Sequence, residues 1–353
     1  MKLSKYTKKQ LYLMIVCLIT FLLPENSYAH IKWFVAFDLA DPPKPITDWI
    51  KAIYPVSLFL LSIWGVLFAC IMDSFWCKRY GRFSYLSNLF SHYDDVTLNI
   101  ARIGTGVFFV GLWLMGGTIF TPELITSAWF IPYIQLLIAI TVLFKRTLII
   151  AGLGILFLYG YALSLYGLFH LLDYVTMVGL GLYLILSSNK QYPLARYRLP
   201  ILYAAVVFAF LWSSIEKLAY PQWFYPFLDK YPFLTMGLDK DLFIASAAFV
   251  EFTLFFLLLM GSNGVILIAF FANLLITSGN IYFGKIDAIG HFPVNFILLM
   301  MVIKGPLPIK TWFFNHSCKP YSAAPAVAMT FFITIALMVA FYYGLHWLLY
   351  NSG

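Results

Sequence analysis

The segment "TLIIAGLGILFLYGYALSLYGL", Thr147 to Leu168, runs for 22 residues without a charge. Coiled as a helix rising 1.5 Å per residue, it reaches about 33 Å, enough to cross the roughly 30 Å hydrocarbon core of a bilayer. Outward from it, comparable runs centre on 54–73, 100–120, 127–144, 171–188, 199–218, 242–260, 264–283, 286–303 and 324–349, making ten with the first. Composition agrees: apolar residues are 62% and charged residues 11% of the chain, against about 25% charge in a soluble domain. The connections are too short to hold a soluble domain. The sequence therefore predicts an all-α polytopic transmembrane helical bundle, with the lipid bilayer as its surroundings.

A different pattern precedes the first of these runs. Lys2, Lys5, Lys8 and Lys9 form a basic start, and Leu11 to Leu23 is apolar but short. Pro24 interrupts it, and Ser27 and Ala29 place small residues where a signal peptidase reads them. Residues 1–29 thus form an expected signal peptide, and cleavage would leave His30 as the first residue.

Charge sets the expected orientation. "CKRYGR" (Cys77 to Arg82), Lys145 with Arg146, "NKQYPLARYR" (Asn189 to Arg198), and Lys304, Lys310 and Lys319 fall in alternate loops. Those loops are cytoplasmic by the positive-inside rule. Acidic residues, including Asp38, Asp41, Glu123, Asp173, Asp229, Asp239 and Asp241, gather on the opposite side. The expected location is a bacterial inner membrane with both mature termini on the periplasmic side. The net charge of +8 then reflects topology, and no nucleic-acid partner is expected. Cys70, Cys77 and Cys318 lie toward the reducing side, which argues against a structural disulfide.

Within the bundle, "GLWLMGGTIFTPELI" (Gly111 to Ile125) echoes "FLWSSIEKLAYPQWF" (Phe210 to Phe224), matching Trp113 to Trp212 and Pro122 to Pro221. "LLDYVTMVGLGLYLIL" echoes "KIDAIGHFPVNFILLM", matching Asp173 to Asp287. The expected organisation is an exported segment with the first helix and a cytoplasmic loop (30–98), two parallel four-helix units (99–190 and 191–305), and a cytoplasmic loop with a last helix (306–353). The second unit carries "WSSIEKLAYP", "QWFYPFLDKYPFL", "AAFVEFTLFFLLLMG" and "NIYFGKIDAIGHFPVN" in order. In these it resembles the DoxX/DoxD-like integral membrane proteins. The resemblance implies a redox-linked role at the inner membrane, with thiosulfate:quinone chemistry among the DoxD-like members. The first unit departs from the pattern, with Gly117 and Thr118 at the positions of Glu216 and Lys217.

Three acid–base candidates stand out. Glu251 sits mid-helix among apolar residues, where an ionised carboxylate is costly without a use or a partner. Glu216 and Lys217 close a helix just before Tyr220 and Pro221, with Lys217 able to extend toward the headgroups. Next to them, Gln222 to Leu234 carries six aromatic rings, the composition of an interfacial belt. His30, His170, His291 and His346 share the exported level, and a terminal His30 paired with His291 would suit copper or zinc. No phosphate-binding glycine loop, HExxH, CxxC or G-x-S-x-G motif occurs.

These residues support three readings. The first is a periplasm-facing redox component, quinone-linked, with Glu251 and Glu216 handling protons and a periplasmic or membrane redox subunit as partner. The second is a copper- or zinc-handling protein built on His30 and His291, with His170 and His346 nearby. The third is a non-catalytic assembly subunit whose polar residues join helices.

Overall fold

The computed structural model describes residues 32, 35, 37–80, 96–189, 191, 193–261, 268, 270–271, 280–304 and 320–350. Eleven α-helices are described: α1 Ile46–Lys51, α2 Ile53–Tyr80, α3 Val96–Met115, α4 Ile131–Thr141, α5 Leu148–Leu171, α6 Val175–Ser188, α7 Arg198–Ala219, α8 Tyr225–Lys230, α9 Lys240–Leu259, α10 Asn280–Lys304 and α11 Pro320–Tyr350. Among the described residues no strand forms, and Thr118 and Ile125 make one isolated antiparallel bridge. Among the described residues six stretches are long and apolar enough to cross a membrane: Ile53–Met72, Val96–Met115, Lys145–Ser188, Pro193–Ala219, Lys240–Leu259 and Ala324–Tyr350. The chain is a multi-pass, all-α membrane protein. Its helices turn apolar side chains outward, as Leu61, Trp64 and Leu337 do at 64%, 69% and 64% exposure. Such faces suit lipid.

Several helix ends differ from the hydropathy pattern. The run expected to 120 stops at Met115, because Gly116 and Gly117 take φ of +66° and +69°, a region open mainly to glycine. Inside α5, Gly167 (φ 77°, ψ 164°) breaks the helix, and the chain doubles back so that Gly152 meets Gly181. The stretch Lys145–Ser188, 44 residues long, is therefore a hairpin of two packed arms. The run at 127–144 narrows to α4, while α10 is helical through the break expected near 284. The run at 264–283 lies largely outside the described residues, as do the signal peptide and His30.

The described residues form two compact units that interleave along the chain. Lys32, 96–206 and 280–304 belong to the first, and 37–80, 207–261 and 320–350 to the second. In the first, α3 packs on α4 and α10, and α5 packs on α4 and α6. Arg102 of α3, 6% exposed, closes the end of α4: its Nε donates to the Val142 carbonyl at 2.7 Å, and a terminal nitrogen donates to that of Leu143. A guanidinium thus satisfies carbonyls that a helix end leaves without partners.

In the second unit α2 packs on α9 and α11. The segment before α1 is tied into this unit by hydrogen bonds to backbone carbonyls. Lys44 N donates to the Ala219 carbonyl at 2.8 Å, Tyr220 Oη to that of Asp41 at 3.0 Å, and Tyr343 Oη to that of Lys44 at 2.6 Å. Asp239 caps α9, its Oδ1 accepting from the amides of Asp241 and Leu242 at 3.0 and 3.2 Å.

The α5 hairpin depends on small residues. A Cβ on Gly152 would lie 2.5 Å from the Gly181 carbonyl oxygen, whereas one on Gly160 meets nothing within 4 Å. Gly152→Val should therefore destabilise the protein by about 1–3 kcal/mol, the usual cost of overpacking, and Gly160→Ala should leave thermal unfolding in detergent unchanged.

Candidate functional site

The second unit brings together two of the acid–base candidates. Helices α7 and α9 run antiparallel, with the rings of Phe210 and Phe255 stacked at 3.7 Å and Leu218 packed on Ala245, Ala248 and Phe249. In that register Lys217 meets Glu251. Its Nζ lies 3.0 Å from Oε2 and 3.1 Å from Oε1, and also donates to Ser213 Oγ at 2.8 Å. Ser214 Oγ donates to the Phe210 carbonyl at 2.7 Å and lies 3.4 Å from Glu251 Oε1. The pair keeps some contact with its surroundings, at 16% and 20% side-chain exposure.

Lys217 thus turns to a carboxylate rather than to the headgroups. Glu216, one residue earlier, points to another face and is buried. Lys217 also lines a cavity of about 80 Å³, together with Lys44, Trp49, Tyr54, Asp241 and Ala245.

The aromatic stretch after α7 only partly forms a surface belt. Trp223 and Phe227 are buried while Phe233 is exposed, and Tyr220 and Trp223 stack at 4.0 Å. Tyr225 Oη donates to Asp241 Oδ1 at 2.5 Å. Burial, then the Asp241 carboxylate, push the Tyr225 phenol up to about 12.

The first unit holds a cluster that residue-by-residue reading did not assemble. After Gly117 the chain folds into a tight loop: Ile119 N donates to the Leu124 carbonyl at 2.9 Å and Thr126 N to that of Gly117 at 2.8 Å. From α4, Gln135 Nε2 donates to the Thr118 and Ile119 carbonyls at 2.7 and 3.2 Å. Tyr166 Oη holds the far side of the loop, donating to the Ile125 carbonyl at 2.6 Å.

This loop presents Glu123 to the turn between α5 and α6. There His170 Nε2 lies 3.2 Å from Glu123 Oε1, and Tyr174 Oη donates to the same oxygen. Beside them Lys32 pairs with Asp173 Oδ2. The side chains of Lys32, Asp173, His170 and Glu123 are 2%, 10%, 2% and 5% exposed. Glu123 Oε2 and Asp173 Oδ1 are buried and, among the described residues, accept no hydrogen bond. In the sequence Glu123 is visible only as an acid on one side of the membrane, and Asp173 as another such acid and as the match to Asp287.

Of the candidate histidines, His170 and His291 belong to the first unit and His346 to the second, and His30 lies outside the described residues. His346 Nε2 lies 2.9 Å from the Leu39 carbonyl oxygen, His170 faces Glu123, and His291 is half-buried on α10. Among the described residues no three His, Cys, Asp or Glu side chains form a group able to hold a metal. Compared with known proteins, the chain matches no family model, no curated protein and no solved structure.

Two outcomes test this geometry. Breaking a buried pair strands a charge, so Lys32→Met or Asp173→Leu alone should cost about 3–5 kcal/mol, while the double variant should recover most of that loss. A thermal-unfolding cycle in detergent reads it directly, and additive single effects would contradict the pairing.

At Tyr225 the folded chain holds its proton more tightly than an unfolded one. The contact's stability is therefore full below about pH 10 and is lost as pH rises through about 12. Asp241→Asn should lower the midpoint of one tyrosinate absorbance transition, the same transition that Tyr225→Phe removes.

Proposed function

We propose that the chain is a membrane component of a redox system, facing the exported side and quinone-linked, in which the Lys217–Glu251 pair handles protons. The observation that carries this reading is the pair itself. It joins two helices, α7 and α9, that bear two motifs of the DoxX/DoxD resemblance. An ionisable pair inside membrane-length helices is costly to desolvate, which favours a functional assignment over an incidental one.

The surroundings fit a limited contact with a ligand. A cavity of about 80 Å³ is smaller than the roughly 150 Å³ that encloses a benzene ring. A quinone ring would therefore stay at its mouth, among the aliphatic and aromatic side chains, with only a carbonyl edge reaching inward. A quinone supplies the electron-accepting group and two oxygens that can carry protons. Lys217 provides a hydrogen-bond donor fixed by Ser213 and Glu251, and Glu251 provides the adjacent carboxylate on which a proton can rest. Glu216, buried on another face of α7, stands outside this contact.

The test uses a short-chain quinone added to the full-length protein in lipid nanodiscs, with quenching of tryptophan fluorescence as the readout. Wild-type quenching should saturate. Glu251→Gln and Lys217→Gln should weaken the apparent affinity at least tenfold, about 1.4 kcal/mol, with helix content unchanged. Equal affinity in all three proteins would reduce the pair to a contact between helices and favour the assembly-subunit reading.

A further inference from the structure

The cavity beside Lys217 is lined by polar groups that the Lys217–Glu251 pair does not use. Lys44 and Asp241 carry opposite charges and both line it, yet they form no ion pair with each other. The Lys44 ammonium has no hydrogen-bond or ionic partner among the described residues, and the Tyr54 hydroxyl has none either. Trp49 Nε1, which can only donate, is buried and meets no acceptor among them. Asp241 Oδ1 accepts from Tyr225 Oη and the backbone leaves its other oxygen, Oδ2, without a donor. Buried donors in folded proteins nearly always have an acceptor, so three donors and one carboxylate oxygen around a single cavity point to a polar ligand.

We propose that this cavity binds the headgroup of a membrane lipid carrying a phosphate ester and a primary amine. The phosphate accepts from the Lys44 ammonium, the Trp49 N–H and the Tyr54 hydroxyl, and the ligand's ammonium donates to Asp241 Oδ2. Charge favours a zwitterion. Lys217 is already matched by Glu251, which leaves one ammonium and one carboxylate in the lining to be matched. A simple anion would satisfy Lys44 and be repelled by Asp241, whereas a phosphate–amine group satisfies both. Size agrees, since about 80 Å³ is well below the roughly 150 Å³ that encloses a benzene ring and suits a small polar group. The inference does not rest on the quinone reading, because the groups it uses are Lys44, Trp49, Tyr54 and Asp241.

Position favours a lipid as the source of that group. Three membrane-length stretches end at the cavity: Tyr54 is at the start of Ile53–Met72, Lys217 near the end of Pro193–Ala219, and Asp241 at the start of Lys240–Leu259. Their common end lies at the level of the lipid headgroups, where tyrosine and tryptophan also concentrate. From Tyr54 an exposed stripe continues along α2 through Leu61, Trp64 and Phe68, at the spacing of one helix face. Gly65 opens this stripe further, since a Cβ there would meet nothing within 4 Å. A headgroup held in the cavity thus has an apolar track beside it for an acyl chain, which a soluble phosphate ester would not use.

Native mass spectrometry of the full-length protein in mild detergent tests the proposal, with phosphatidylethanolamine, phosphatidylcholine and phosphatidylglycerol added at equal concentration. The wild type should retain phosphatidylethanolamine in preference to the other two. Phosphatidylcholine has the phosphate but its quaternary ammonium donates no hydrogen bond to Asp241, and phosphatidylglycerol lacks the amine. Lys44→Gln and Asp241→Asn should each weaken retention by about tenfold or more, the effect of losing a hydrogen bond to a charged group. Trp49→Phe removes the N–H while keeping a ring against Tyr343, and should weaken retention with helix content unchanged, so the test stays decisive if a charge variant misfolds. Excess soluble phosphoethanolamine should leave the lipid in place, and its displacing the lipid would overturn the assignment to lipid. Equal retention of the three lipids, or full retention in Trp49→Phe and the charge variants, would overturn the site itself.

Discussion

Hydrocarbon offers no hydrogen-bond partner, and that single constraint organises this molecule. Backbone groups meet it by coiling into helices, which is why the membrane-length stretches are helical. Side chains meet it one by one. Arg102 spends its guanidinium on the carbonyls at the end of α4, Lys217 turns to Glu251, and Lys32 turns to Asp173. These three cations have different consequences. A guanidinium stays charged under all ordinary conditions and can only hold structure. A lysine with a carboxylate brings groups that can exchange a proton into contact.

The same constraint decides what could be read in the sequence. Charge-free runs such as 147–168 reveal membrane-length helices because the bilayer filters composition over twenty residues at a time. Such a filter says little about single positions. Gly167 is one apolar-compatible residue among many, yet its φ of 77° turns the residues after it into the second arm of a hairpin. Gly116 and Gly117 likewise end α3 several residues before hydropathy falls. Glycine was visible at these positions, but its left-handed backbone emerges only once the packing of Gly152 on Gly181 demands that the chain reverse.

At the candidate sites, residue types were legible and pairings were not. Glu251 and Lys217 stood out singly, for burial and for position, but 34 residues separate them and only the antiparallel register of α7 and α9 brings them together. His170 stood out for its membrane level and was grouped with other histidines as a metal ligand. Its neighbour in space is Glu123, a residue that sequence treated only as a marker of topology. Membrane level selects side chains with a common depth, whereas chemistry requires a common point, and depth alone leaves two lateral dimensions unspecified.

The departure at Gly117 shows how one position redirects a site. Where the stretch "FLWSSIEKLAYPQWF" carries Glu216 and Lys217 on α7, the stretch that echoes it in sequence has Gly117, just after α3 ends, where a loop begins. The helical version holds its cation against a carboxylate of another helix, at 16% and 20% exposure. The loop version lowers a carboxylate onto a histidine at 5% and 2% exposure. The two places therefore differ in enclosure: the Lys217–Glu251 pair keeps some contact with its surroundings, whereas Glu123 and His170 keep almost none.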